Sequence, residues 1–238
     1  NVTFGYSDSP ILKNVSFDIK KGTSVAIVGA TGAGKTTITS LLTRWYDVQS
    51  GKITLDGINI KDFRQQDLAK IMSFVMQDIY LFPGSIRDNL RAMRIDIPDS
   101  QVEEAIRSLD IEHIIARFEN GLDTVLSENG KNLSFGERQL LSFARALTFQ
   151  PEILIIDEAT SSVDPATEAR LQDSLLTLLE GRTSIIIAHR LSTIVHADKI
   201  VVMDQGQLAE EGTHDELLLQ NGIYARLYHL QSGQNYYA

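Results

Sequence analysis

The chain has 238 residues, of which 43% are hydrophobic and 22% are charged, enough to build one large α/β domain around a core. Its formal net charge of -9 argues against a surface that binds nucleic acid non-specifically, because such a surface needs clustered Lys and Arg. It contains no cysteine, which excludes disulfides and thiolate chemistry and makes the cytosol the default compartment. No apolar run approaches the roughly 20 residues of a membrane helix. The opening NVTFGY lacks a Met, so we expect a domain cut from a longer polypeptide, with its membrane part missing.

The predicted elements alternate between strands and helices along the chain. Residues 1–20 and 53–60 alternate apolar and polar positions, which predicts a small antiparallel sheet. Five apolar runs predict parallel strands buried on both faces: 24–28, 71–75, 153–156, 184–188 and 200–203. Helices are predicted at 35–46 and at 165–180, and Gly181 after the second one is a stop signal. A helical insertion is predicted at 99–147. Ser100 and Glu103 form a capping-box pattern near the start of the insertion.

The segment VAIVGATGAGKTT follows a predicted strand, precedes a predicted helix and fits the pattern G-x-x-x-x-G-K-[ST]. In this pattern Gly29 and Gly34 let backbone N–H groups converge on a polyphosphate, and the helix N-terminus adds a partial positive charge. Lys35 neutralises outer phosphate oxygens, and the Thr36 hydroxyl suits Mg²⁺. The alternative, a glycine-rich turn before a helix, does not account for this context. The sequence therefore predicts a nucleotide-binding loop.

A later strand, in EILIIDEATSSVD, ends in two acidic residues. Asp157 would emerge at the carboxyl end of the strand, where α/β sheets bind ligands, and could hold magnesium through water. Glu158 would then polarise an attacking water. An acidic pair by itself is equally typical of a solvated strand end. Paired with the phosphate loop, it predicts a hydrolytic site.

Five further motifs occur in order along the chain: VTFGY, SFVMQD, LSFGE, SSVD and IIIAHRLST. With these motifs, the chain resembles the nucleotide-binding domain of ATP-binding cassette (ABC) transporters over nearly its whole length. The resemblance implies an α/β fold: a P-loop NTPase (RecA-like) parallel sheet with a small antiparallel β subdomain and an inserted helical subdomain. It places the RecA-like core and the β subdomain at residues 1–78 and 148–238, and the helical subdomain with the signature motif at 79–147.

The resemblance also implies roles for individual residues. Tyr6 stacks on adenine, Gln77 joins the magnesium shell, and His189 contacts the γ-phosphate. Asp164 belongs to a loop that crosses to the site of a partner domain. Without the resemblance, an aromatic in an early strand and a histidine at a strand end would be more typical of core packing and a local hydrogen bond.

The sets that the resemblance implies are as follows. The catalytic residues are Lys35, Gln77, Glu158 and His189. The nucleotide-binding residues are Tyr6, Gly29, Thr31, Gly32, Ala33, Gly34, Lys35, Thr36 and Thr37. The metal ligands are Thr36, Gln77 and, through water, Asp157.

The signature segment LSFGE departs from the family motif LSGGQ, which begins a helix and closes over the γ-phosphate bound to the other subunit. Ser134 and Gly136 match the motif, whereas Phe135 replaces its first Gly and Glu137 replaces its Gln. A carboxylate that pointed at the phosphate would repel it, so we expect Glu137 to face solvent or a basic neighbour. Two interpretations stay open: a heterodimer with one impaired site, and a homodimer whose two sites tolerate Phe135.

The function that the resemblance implies is that of an ATPase. ATP and Mg²⁺ would be sandwiched between two head-to-tail cassettes, and hydrolysis would drive alternating access of fused membrane domains. The segments MQDIYLFPGSIRDNL and ADKIVVMDQGQLAEEGTHDELLLQNGIYARLY look like those of exporters, so we expect a position at the cytoplasmic face of the cell membrane, with no nucleic-acid partner. Two alternatives stay open, a soluble ABC-type ATPase and a non-hydrolysing regulatory domain, although Glu158 favours hydrolysis. The sequence does not identify the transported substrate.

Overall fold

The structure is a computed structural model that describes residues 1–127, 130–157, 164–188 and 190–232. In chain order its strands are β1 (Val2–Phe4), β2 (Leu12–Val15), β3 (Ser24–Gly29), β4 (Thr54–Leu55), β5 (Ile58–Asn59), β6 (Met72–Val75), β7 (Gly84–Ser85), β8 (Val125–Leu126), β9 (Ile153–Asp157), β10 (Thr183–Ile187), β11 (Lys199–Asp204) and β12 (Gln207–Gly212). Its α-helices are α1 (Lys35–Leu42), α2 (Gln65–Ile71), α3 (Ile86–Leu90), α4 (Asp99–Ser108), α5 (Glu112–Ala116), α6 (Phe135–Thr148), α7 (Pro165–Leu179), α8 (Leu191–Ile194), α9 (His214–Gln220) and α10 (Ile223–Ser232). Within the described ranges, no helix combines the length and apolar character needed to cross a membrane.

The main sheet of the described chain has six strands in the order β12-β11-β3-β10-β9-β6. The strands β11, β3, β10, β9 and β6 run parallel, and β12 pairs antiparallel with β11 at one edge. All five apolar runs of the sequence form these parallel strands, with ends that differ by one residue. Strands of this kind read as continuous apolar runs because both of their faces are buried.

Alternate residues of the central strands enter two different core layers. In β3, Val25 and Ile27 face the layer that contains α1, whereas Ala26 and Val28 face the opposite layer. That second layer joins the sheet to α3, α4, α6 and α7 in one continuous core. The helical segment therefore packs directly against the sheet that carries the phosphate loop.

The segments for which the sequence predicts a small antiparallel sheet form two separate antiparallel pairs, β1 with β2 and β4 with β5, and a bridge between Thr3 and Ser50 joins Thr3 of β1 to the chain before β4. The pattern of apolar residues predicts neither β12 nor the pair of β7 with β8. Because β7 and β8 have two residues each, they are too short for hydrophobic periodicity to detect.

The helix ends agree with the sequence in one case and differ in another. The end of α7 is followed by Gly181, which has a φ of +70° and stops the helix as predicted. The predicted capping box of Ser100 and Glu103 is wrong, because α4 already begins at Asp99 and Ser100 lies inside its first turn. Pro98, whose φ is fixed, and the acidic residue at the first helical position favour this earlier start.

Candidate functional site

The carboxyl ends of four parallel strands meet at one edge of the main sheet, in the order β3, β10, β9 and β6. Ile187, the last residue of β10, is in register with Asp157, the last residue of β9. The predicted phosphate loop after β3, Asp157, and Gln77 two residues after β6 therefore lie along the same edge. Glu158 and His189, which the sequence predicts for this site, lie outside the described residues.

The turn between β3 and α1 requires glycine at several positions. Gly29, Gly32 and Gly34 have φ angles of +148°, +82° and +99°, which other residues rarely adopt. A Cβ on Gly34 would lie 2.6 Å from Leu12 Cδ2, and one on Gly29 would collide with the carbonyl oxygen of Met203. Because Gly34 has no side chain to cap α1, the N–H groups of the first helical turn are available to an anion.

The other loop residues divide between surface and core. Thr31 is exposed, and so is Thr36 in the first turn of α1. Ala33 and Thr37 are buried. The N–H of Ala33 donates to the carbonyl of Ala30 at 3.1 Å, so this residue shapes the turn.

Lys35 points back into the loop. Its Nζ donates to the carbonyl oxygens of Gly29 and Ala30 at 2.8 Å and 3.1 Å, and the residue is only 7% exposed. Burial lowers the pKa of Lys35 below its ordinary value, and the negative charge of Asp157 opposes this shift in part. The ammonium group therefore lies inside the glycine turn and within electrostatic reach of Asp157.

The predicted magnesium ligands offer three kinds of oxygen. Asp157 is buried at the end of β9, whereas Thr36 and Gln77 are exposed. A carboxylate, a hydroxyl and an amide carbonyl are oxygen donors that Mg²⁺ accepts together with water and phosphate. In the part of the chain that the structure describes, no group of three or more His, Cys, Asp or Glu side chains could hold a metal. These residues therefore match a magnesium ion that binds together with a nucleotide. They match a metal centre built from protein ligands alone less well.

Tyr6 belongs to an aromatic cluster. Its ring is 52% exposed and stands edge-on to Phe4 and Tyr46, with centroids 5.1 Å apart in both pairs. Tyr46 lies beyond α1, which ends at Leu42 and not at residue 46 as the sequence predicts, because Arg44 has a left-handed φ of 55°. A half-exposed ring fixed by two neighbours has the form of a stacking platform. Adenine stacking by Tyr6 stays a prediction.

The signature segment begins α6 through a reciprocal cap. Ser134 Oγ accepts from the N–H of Glu137 at 3.2 Å, and the Glu137 carboxylate accepts from the N–H of Ser134 at 2.7 Å and pairs with Arg117. Burial raises the pKa of Glu137, but the hydrogen bonds from Ser134 and the charge of Arg117 outweigh it and hold this pKa below its ordinary value. The expected basic neighbour of Glu137 is therefore confirmed. Phe135 is half-buried, with the guanidinium of Arg138 5.9 Å from its ring centroid.

The starts of α6 and α7 pack against each other. A Cβ on Gly136 would collide with Thr167 Cγ2 of α7. Asp164 is the exposed N-cap of α7, and its Oδ1 accepts from the N–H of Thr167 at 3.0 Å. Helix packing thus disfavours a side chain at position 136 whether or not an anion binds there.

A buried polar network, which no local sequence pattern predicts, holds the segment after Gln77 against α6. Arg145 of α6 donates from Nη1 to the carbonyl of Tyr80 at 2.9 Å and from Nη2 to Asn89 Oδ1 at 2.9 Å. Burial lowers the pKa of Arg145 to about 10. Asn89 in turn hydrogen-bonds both backbone groups of Phe82. The sequence signal for this network is Arg145, a charged residue inside the apolar run LLSFARAL. That signal does not identify the partner, because Asn89 is 56 positions away in sequence.

A family model described as ABC transporter matches residues 12–161, which is more than half of the chain. The chain belongs to the ABC transporter family. Its relatives include the uncharacterized ABC transporter ATP-binding protein YfiC of Bacillus subtilis, which is 49% identical over 232 residues. The ATP-dependent lipid A-core flippase of Pasteurella multocida is 47% identical over 234 residues. The probable multidrug resistance ABC transporter ATP-binding/permease protein YheH of Bacillus subtilis is 44% identical over 237 residues.

These alignments cover 97–99% of this ABC transporter chain but only 35–40% of each relative. The chain thus spans about two fifths of the length of the curated relatives it matches. A solved structure of a bacterial Atm1-family ABC exporter with ATP bound is similar with a TM-score of 0.90 and 42% identity, covering 100% of this chain and 42% of that one. The predicted α/β fold and the predicted exporter-type nucleotide-binding domain are therefore confirmed.

Proposed function

We propose that this chain is the ATP-hydrolysing motor domain of an ABC exporter, which couples ATP turnover to alternating access of fused membrane domains. The observation that carries the proposal is the position of Lys35, buried inside the glycine turn and under the influence of Asp157 at the edge where the parallel strands end. The ATP bound to the similar Atm1-family exporter and the ATP-dependent activity in the name of the flippase support ATP as the substrate.

The chemistry follows from the groups at this edge. The first turn of α1 and the Lys35 ammonium bind the phosphates and stabilise the negative charge that develops during transfer of the γ-phosphoryl group to water. Magnesium, when bound, neutralises charge between the phosphates, and Thr36, Gln77 and, through water, Asp157 would hold it. Glu158 aligns the attacking water. His189 contacts the γ-phosphate, and Tyr6 stacks on the adenine.

The second half of the site comes from another cassette in a head-to-tail dimer. Its Ser134 and Gly136 close over the γ-phosphate, and the loop of Asp164 crosses the interface. The structure of the signature supports this role despite the replacement at Phe135. The Glu137 carboxylate is occupied by the helix cap and by Arg117, so it does not repel an incoming phosphate. Nucleotide then stabilises the dimer by mass action, and hydrolysis lets it reopen.

The membrane domain belongs to the same proposal. The chain covers about two fifths of its relatives, and one of them carries the name ATP-binding/permease protein. A fused permease segment would hold this domain at the cytoplasmic face of the cell membrane. Which substrate is transported depends on residues of that segment.

The test is ATP turnover by the full-length protein, comparing Glu158→Gln with Glu152→Gln as a matched control. Glu152 is exposed and pairs only loosely with Lys21, at 3.5 Å. We expect the first variant to lose turnover and to accumulate as a nucleotide-bound dimer, and the second to keep the parental rate. Parental turnover in Glu158→Gln would contradict the assigned role, and a parent protein that binds ATP without turnover would favour a regulatory domain.

A second comparison distinguishes the two kinds of dimer. If a distinct partner chain co-purifies, the Glu-to-Gln change is made in each chain in turn. Loss of turnover only with Glu158→Gln means an asymmetric heterodimer whose competent site is built on this chain. Loss with both changes, or a protein of one chain only, means that Phe135 is a tolerated variant and two similar sites cooperate.

A further inference from the structure

A small cavity lies between α6, α7 and the ends of β6 and β9. Its volume is about 10 Å³, and four polar side chains line it together with apolar ones: Gln139, Asp157, Gln172 and Arg190. Gln139 belongs to α6, five positions after Ser134. Asp157 is the carboxylate at the end of β9 that the proposed function assigns to magnesium. The cavity therefore lies between the helix that begins with the signature and the proposed metal site.

Gln139 enters this cavity with an unsatisfied group. The residue is 9% exposed, and its Oε1 is buried without a hydrogen-bond partner among the described residues. A buried amide oxygen without a donor is unfavourable, so native proteins rarely leave one. Asp157 lines the same space, but an ionised carboxylate is also an acceptor and cannot satisfy Gln139 directly. Gln139 Oε1 therefore needs a donor from elsewhere, and the Asp157 carboxylate can accept from the same donor.

A water molecule is the donor that fits. A cavity of about 10–15 Å³ on this measure holds one water, provided that two to four polar groups surround it. Water has two O–H bonds, which match the two acceptors. Its lone pairs can accept from Gln172 Nε2 or from the Arg190 guanidinium on the same wall. The size and the polar lining of the cavity thus fit one water molecule.

We propose that one ordered water occupies this cavity and donates to Gln139 Oε1 and to the Asp157 carboxylate, which makes Gln139 a positioning residue for Asp157. The inference rests on the proposed function for the role of Asp157. Through this bridge, α6 restrains the orientation of the carboxylate, so the signature helix and the magnesium site are physically linked inside one chain. Replacing a group that orients the partners of a metal typically costs about 10- to 100-fold in metal affinity or in activity.

The first test is a crystal structure of the protein at a resolution that shows ordered water. We expect one water within hydrogen-bond distance of Gln139 Oε1 and Asp157, and its absence in Gln139→Leu, which has similar volume but no acceptor. A dry cavity in the parent protein, or an unchanged water in Gln139→Leu, overturns the proposal. This readout does not depend on ATP turnover. It therefore separates failure of the water bridge from failure of the proposed function.

The second test is the Mg²⁺ dependence of ATP turnover in the full-length protein. Gln139→Leu should raise the Mg²⁺ concentration for half-maximal rate roughly tenfold while kcat at saturating Mg²⁺ stays within about twofold. Gln101→Leu on α4, the same change outside the cavity, is the control and should alter neither. An equal effect of both changes, or a loss of kcat without a change in Mg²⁺ dependence, overturns the positioning role. If Gln139→Leu does not fold, Gln139→Met takes its place, and the parental crystal structure still decides whether the water is present.

Discussion

Replacing Asn89 tests whether the polar network around Arg145 holds the segment after Gln77 in place. It is 1% exposed and makes four side-chain hydrogen bonds. Its Nδ2 donates to the carbonyls of Phe82 and Ser85 at 2.9 Å and 3.0 Å. Its Oδ1 accepts from the N–H of Phe82 at 2.8 Å and from Arg145 Nη2 at 2.9 Å. Asn89→Ala removes all four bonds and leaves buried backbone groups and a buried cation without this partner.

The expected loss follows from the kinds of bond. A neutral hydrogen bond contributes about 1 kcal/mol net, and one to a charged group about 1.5–3 kcal/mol. Because water and relaxation recover part of this, we expect Asn89→Ala to lower the free energy of unfolding by about 3–5 kcal/mol. Thermal unfolding will show the loss as a fall in Tm, and urea titration will show it as a lower midpoint at unchanged m-value.

Asn59→Ala is the matched control for this measurement. Asn59 accepts one hydrogen bond, from the N–H of Lys61 at 3.1 Å, at the start of a short 3-10 turn. Its removal should cost about 1 kcal/mol or less. If Asn89→Ala loses no more than Asn59→Ala, the network around Arg145 does not hold this segment, and the reasoning is refuted.

Four further predictions concern the phosphate loop and the signature. Lys35→Met should abolish the stabilisation by ATP, which reaches about 2.7 kcal/mol at 100 times Kd in the parent. Without nucleotide, the free energy of unfolding of the parent relative to Lys35→Met should rise with pH between the lowered pKa of Lys35 and 10.5. In this window the unfolded chain keeps a proton on Lys35 that the folded chain has released, so raising the pH favours the folded state. Urea titrations from pH 8 to 10.5 check this. Glu137→Gln keeps the helix cap and loses only the ion pair with Arg117, so it should lower the free energy of unfolding in urea by under about 1 kcal/mol. Glu137→Ala also removes the cap and should lower it by about 1–2 kcal/mol. Equal losses in the two variants would contradict the role of the cap. Gly136→Ala should lower the free energy of unfolding by about 1–2 kcal/mol because its methyl group clashes with Thr167. Adding Thr167→Ser removes the clashing methyl group and should restore the stability. A double variant that is no more stable than Gly136→Ala rules out this clash.

The sequence by itself determined the elements that depend on local pattern. Apolar runs indicated the parallel strands because both faces of each strand are buried, and Gly29, Gly34 and Lys35 indicated the phosphate loop because only glycine adopts its φ angles. The motif at Asp157 predicted which strand end belongs to the site. These features need only neighbours in the chain to be recognised.

Tertiary structure alone decided the contacts between distant segments. Arg117 reaches Glu137 from 20 positions away and Arg145 reaches Asn89 from 56, and neither pair follows any periodicity. Gln139 and Asp157 line the same cavity for the same reason, because their proximity depends on how α6 packs over the end of β9. Local pattern reports which face of an element is apolar, but a polar side chain finds its partner only when the core has fixed the distance between elements. That is why the glycine turn after β3 could be predicted from the sequence, whereas these polar contacts between distant segments could not.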